Sequence, residues 1–95
     1  MNYQETLSQM GGQNRLVLMT GANNFGVLGN SLSFRFKGSK KANYLRITLN
    51  SMDTYDLEFG KVHGTNYKVV KTLTYIYSDQ LIEIFENTTG LMLSL

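Results

Sequence analysis

Two hydrophobic periods run along the chain, and the places where one gives way to the other mark the expected elements. From Ser31 onward apolar and polar residues alternate. Leu32, Phe34 and Phe36 alternate with Ser33, Arg35 and Lys37; Leu45, Ile47 and Leu49 with Tyr44, Arg46 and Thr48; Tyr55, Leu57 and Phe59 with Asp56 and Glu58. A period of two belongs to a strand with one face in a core and the other toward water. The segments between these runs, 38–41, 50–53 and 60–66, are short and rich in turn formers, so consecutive strands should pair as hairpins. A fifth strand is expected from about Tyr67 to Tyr75, and its alternation breaks at Val69-Val70, the mark of a bulge or a change of face.

Both ends show a helical period instead. Tyr3, Leu7 and Met10 recur at i, i+4 and i+7; Asn2 can cap this helix with Glu5 three residues on, and Gly11-Gly12 ends it. Its narrow stripe suits a flap lying on the domain. A second helix is expected from Ser78 to Thr89, with Leu81, Ile84, Phe85 and Thr88 inward and Ser78 as N-cap. Tyr77 and Ile82 are placed as a hydrophobic staple, and Gly90 stands where a terminating glycine belongs. Leu91, Met92, Leu93 and Leu95 are too apolar for a free tail and should pack on the sheet or on a partner chain.

Between the first helix and the clear alternation, Arg15 to Met19 is a short apolar run that suits a strand buried on both sides. Thr20 to Asn30, with three glycines and three asparagines, then reads as a long irregular loop, and such loops often carry binding residues. The expected order is α-β-β-β-β-β-α. This is one α+β domain over residues 1–95, an antiparallel meander of about five strands with a short N-terminal helix and a C-terminal helix packed on the sheet.

Composition narrows the chemistry. The chain has no cysteine, which excludes disulfides, thiolate metal ligands and a cysteine nucleophile. Its first ten residues lack the basic and apolar regions of a signal peptide, and no apolar run approaches the ~20 residues of a membrane span. A cytoplasmic protein is the expectation. Charged residues make up only 17% of the chain, leaving an uncharged polar and aromatic surface that suits docking or simple solubility.

No catalytic constellation emerges. Gly21 to Gly26 follows the expected first strand as a phosphate loop would, but Val27-Leu28 stands where a P-loop needs Lys-Ser/Thr. His63 is the single histidine and sits in a turn. Asp53, Asp56 and Glu58 form the densest acidic cluster, with Asp56 and Glu58 on one strand face. They could act as paired carboxylates or hold Mg²⁺; alternatively they neutralise Arg46, and Arg35 beyond it, across the outer face of the sheet. The second reading needs no enzyme, and neither cofactor nor metal is expected.

The basic residues say more. Alternate turns of a meander fall at one end of the sheet, which groups Lys37, Lys40, Lys41, Lys61 and His63 on one edge, with Lys68 opening the adjacent strand and Tyr44 on the polar face. Lysines with exposed aromatics can hold a phosphate backbone or a single strand; hairpin-tip lysines also serve solubility alone. Nucleic acid is therefore the first expected partner. A host protein is the alternative, held through Asn23, Asn24 and Phe25 of the Gly/Asn loop and through exposed tyrosines. No membrane contact is expected, and the apolar C-terminus and any uncovered sheet edge point to a homodimer.

Three stretches taken in order carry a likeness. They are residues 18–25 (LMTGANNF), residues 42–49 with 53–59 (ANYLRITL and DTYDLEF), and residues 77–81 running to 85–91 (YSDQL and FENTTGL). Together they resemble a family of small hypothetical proteins encoded by bacteriophages and prophages, over most of the chain from about Gly11 to Leu95. The resemblance implies a phage or mobile-element origin and a bacterial host cytoplasm. It assigns no activity and no site residue.

Overall fold

The computed structural model describes residues 2–93. Five strands form one antiparallel sheet in the order β1-β2-β3-β4-β5: β1 (Asn23–Leu28), β2 (Ser31–Arg35), β3 (Tyr44–Leu49), β4 (Tyr55–His63) and β5 (Asn66–Ile76). Helices α1 (Tyr3–Gln9) and α2 (Gln13–Thr20) precede the sheet, and α3 (Leu81–Thr89) follows it after a 3₁₀ turn at Ser78–Gln80. The expected α+β meander is the observed one.

Its inner face is set by the alternation read above. Leu32, Phe34, Leu45, Ile47, Leu57 and Phe59 are buried, and α3 lays Leu81 and Phe85 onto them. The Phe85 ring meets Phe36 edge-on at 5.1 Å and lies 6.3 Å from Phe59 and 6.5 Å from Phe34. Edge and tilted geometries of this kind add about 0.5–1.5 kcal/mol per pair beyond area burial. The third inward residue of α3 is Thr89, not Thr88, because i, i+4, i+8 follows the buried stripe more closely than the expected spacing. Ser78 does not cap α3. The chain makes a 3₁₀ turn first, held by the Tyr77 N–H donating to Gln80 Oε1 at 2.9 Å, so α3 begins three residues later than expected. Gly90 ends it in the left-handed conformation, as expected, and Leu93 beyond it is fully buried. Leu95 lies outside the described residues.

Two expectations near the N-terminus fail together. Arg15 to Met19 is not a strand; it lies in α2. Gly12 (φ 94°) and Gly21 (φ 66°) bracket eight residues between them, and the Gly21 N–H caps the helix on the Val17 carbonyl at 2.9 Å. Leu, Met and Arg favour that helix intrinsically, and Leu16 with Thr20, four apart, supplies its buried edge. The order is thus α-α-β-β-β-β-β-α. Thr20 to Asn30 is correspondingly not a long loop, since β1 occupies most of it.

The first helix is fixed more firmly than a flap. Asn2 Oδ1 accepts from the Glu5 N–H at 3.1 Å, and Leu7 and Met10 are buried. The Tyr55 hydroxyl donates to Gln9 Oε1 at 2.7 Å and meets the buried Thr6 hydroxyl at 3.2 Å, tying α1 to the start of β4.

Candidate nucleic-acid interface

The meander brings the β2–β3 connection and the β4–β5 hairpin to the same end of the sheet, and polar side chains bolt them together. Asn43 imitates a strand residue: its Nδ2 donates to the Val62 carbonyl at 2.8 Å and its Oδ1 accepts from the Val62 N–H at 2.7 Å. Ser39 Oγ donates to the Thr89 carbonyl at the end of α3 (2.7 Å) and accepts from the N–H groups of Lys41 (3.1 Å) and Ala42 (3.4 Å). Lys61 Nζ donates to the Lys40 carbonyl at 2.9 Å.

All six lysines of the chain belong to this connection and this hairpin or to the strand that leaves it: Lys37, Lys40, Lys41, Lys61, Lys68 and Lys71. Each is exposed, and none forms an ion pair with a described carboxylate. Lys37 stands somewhat apart, with its stem over Gly21 at the C-terminal end of α2. Lys61 lies directly across from Lys68 on the helix-bearing face, and exposed His63 pairs with Asn66 at the tip on that same face. Like charges set opposite one another across a sheet are destabilising. An anion accepted between Lys61 and Lys68 turns that cost into affinity.

Lys71 joins the group through a device the alternation only hints at. Val70 is left out of the β4–β5 register, so Lys71 opposes Phe59 and shares a face with Lys68, three residues before it. Without the bulge the two would face opposite ways. The break at Val69-Val70 is the signal that finds it.

Tyr44 lies on the outer, polar face as expected, edge-on to Tyr67 at 5.4 Å, but Lys61, Lys68 and His63 lie on the opposite face, so the structure does not bring it together with them. Tyr67 folds back over Gly60, leaving no room there for a Cβ, and donates to Glu58 Oε2 at 2.7 Å. Glu58 Oε1 in turn accepts from Arg46 Nη2 at 3.0 Å. Desolvation of the phenol, and then its hydrogen bond to Glu58, push Tyr67 well above the ordinary phenol range. The two tyrosines therefore brace each other and the outer charge ladder. Neither ring lies on the face of Lys61, Lys68 and Lys71.

The acidic residues are divided the same way. Asp56 accepts from Asn50 Nδ2 at 3.1 Å, Glu58 is held by Arg46 and Tyr67, and His63 sits at the far end of β4. Asp53 occupies the β3–β4 turn with φ 59°. Among the described residues no group of three or more His, Asp or Glu side chains could hold a metal ion.

The residues expected to anchor a protein partner are strand residues. Asn23 Nδ2 donates to the Gly21 carbonyl at 2.8 Å, and Phe25 turns inward onto Phe34 at 5.4 Å. Between them Asn24 takes φ 54° in a β-bulge, a conformation asparagine tolerates better than most residues. Only Asn24 of the three is exposed. The most exposed tyrosines lie elsewhere, at Tyr75 and Tyr77.

No protein-family model matches the chain, and no curated protein or solved structure matches it either.

Proposed function

We propose that this is a small non-enzymatic binding protein of phage type that holds nucleic acid by its phosphate backbone along the lysine end of the sheet, in the cytoplasm of a bacterial host. The observation that carries the reading is the convergence of Lys40, Lys41, Lys61, Lys68 and Lys71, unneutralised, on two connections fastened to one another. A stable fold does not require Lys61 opposite Lys68, and a phosphate rewards it. With the tyrosines spent on the other face, binding is indifferent to sequence. Among the described residues no helix is long and apolar enough to cross a membrane.

The test is a salt titration of binding to a fluorescent duplex and to a single strand. Four to five lysine–phosphate contacts give a slope in log K against log salt of about −3.6 to −4.5 on the duplex and about −2.8 to −3.5 on the single strand, and Lys61→Glu with Lys68→Glu makes it shallower by about two contacts. Binding that ignores salt, or that survives the double reversal, overturns the proposal.

A second reading has its own observation. Tyr75 and Tyr77 are 66% and 63% exposed at the opposite end of β5, and Tyr75 is held at φ 57° in a second bulge. Exposed tyrosines are good anchors for a protein surface, and a host factor bound there would be released little by salt. Tyr75→Ala with Tyr77→Ala abolishes that binding and leaves the lysine salt slope unchanged.

A further inference from the structure

The two edges of the sheet are built in opposite ways. On β5, Lys68 and Lys71 are charged and exposed, and bulges at Val70 and at Tyr75 break the strand into short regular pieces. Charges and bulges are how an edge strand avoids pairing with another copy of itself. On β1 nothing of the kind follows the bulge at Asn24. The nineteen residues from Leu16 to Phe34 contain no charge and no proline. The β1 strand ends in Val27 and Leu28, 48% and 84% exposed, and α2, which leads into it through Gly21-Ala22, exposes Val17 and Leu18 at 45% and 83%. Among the described residues no hydrogen bond from outside β2 reaches the backbone of residues 24–28.

We infer that the β1 edge pairs antiparallel with β1 of a second copy of this chain, joining two sheets into one of ten strands. An isologous contact sets a strand against itself, so it must tolerate its own charges. The β5 strand would place lysines near lysines, whereas β1 places Val27 and Leu28 near uncharged neighbours. The two-fold axis of such a pair is perpendicular to the sheet, so α3 of both copies lies on one side. Lys61, Lys68 and Lys71, on β4 and β5 at the other flank, stay open. This surface is independent of the nucleic-acid reading.

Sedimentation of the whole chain over a concentration series, from low micromolar to submillimolar, tests it. The expected result is a reversible dimer of twice the 10.8 kDa chain mass. Leu28→Lys, at a site too exposed to matter for folding, should weaken the dimer at least tenfold, while Val69→Lys on β5 leaves it unchanged; circular dichroism confirms that both variants are folded. Amide exchange at residues 26–28 should slow as concentration rises. A wild-type chain that stays monomeric, a dimer that Leu28→Lys does not weaken, or one that Val69→Lys weakens equally overturns the inference.

Discussion

A methyl group at Gly60 would overlap Cε1, Cζ and Oη of Tyr67, so Gly60→Ala forces the ring off the sheet. Backbone strain is not the issue, because Gly60 lacks a positive φ. The losses are the edge-on contact with Tyr44, about 0.5–1.5 kcal/mol, and the hydrogen bond to Glu58, again about 0.5–1.5 kcal/mol at an exposed site. Against these stands about 0.4–1 kcal/mol gained because alanine restricts the unfolded chain. The net is a destabilisation of roughly 0.5–2 kcal/mol, or a fall in Tm of roughly 2–16 °C for a domain this size.

The diagnostic measurement is the double-mutant cycle with Tyr67→Ala, followed by urea denaturation. Once the ring is gone the methyl group has nothing to displace, so Gly60→Ala in that background should be neutral or slightly stabilising. The coupling energy should be about 1–2 kcal/mol. Equal costs for Gly60→Ala in both backgrounds would refute the account of why glycine stands there. The proposed nucleic-acid binding should be unmoved throughout, since Lys61, Lys68 and Lys71 lie on the other face.

Two further predictions concern the same end of the molecule. Ser39→Ala removes the donor to Thr89 and the acceptor for two amides, and should cost about 1–2 kcal/mol in urea denaturation; exchange of the Lys41 and Ala42 amides should accelerate, and unchanged exchange would count against the clasp. The folded state holds the Tyr67 proton more tightly than the unfolded chain does. Its contribution to stability is therefore complete below pH ~10, the unfolded phenol value, and is lost as pH rises above it. Ultraviolet titration should show a tyrosine that resists ionisation, and Tyr67→Phe should abolish that late step.

Strands β2 to β4 were legible in the sequence because each buries one face, and Leu32 to Phe59 record that burial with a period of two. The Leu16 to Met19 run records nothing of the kind. Four apolar residues fit a buried strand or a helix equally, and the deciding feature is the pair of positive-φ glycines on either side. The β1 strand was hidden by its position at an edge: Val27 and Leu28 face solvent, the bulge interrupts it, and Asn and Gly look like loop residues. The lysine end could be read from topology alone, since alternate turns of a meander share an end. That Lys71 shares the face of Lys68 could not, because it depends on how β5 runs past Val70.

The charges are also segregated along the strands, and this governs approach more than affinity. Opposite the lysines, Glu5 and Asp53 line a cavity of about 270 Å³ under α1, with Ser78 on its rim and Asp79 next in the chain. The molecule measures 33 × 31 × 21 Å, so the acidic end lies up to about four screening lengths from the lysines at physiological salt and about one at ~0.01 M. Carboxylates there repel a polyanion and help turn the lysine end toward it only when salt is low. Neutralising them by Glu5→Gln, Asp53→Asn and Asp79→Asn should therefore alter the association rate at ~0.01 M salt, leave it unchanged at 0.15 M, and not touch the dissociation rate at either. Stopped-flow measurement of both rates decides the matter. A change in dissociation would mean that the acidic end touches the ligand, and an effect that persists at 0.15 M would mean that steering is not its cause.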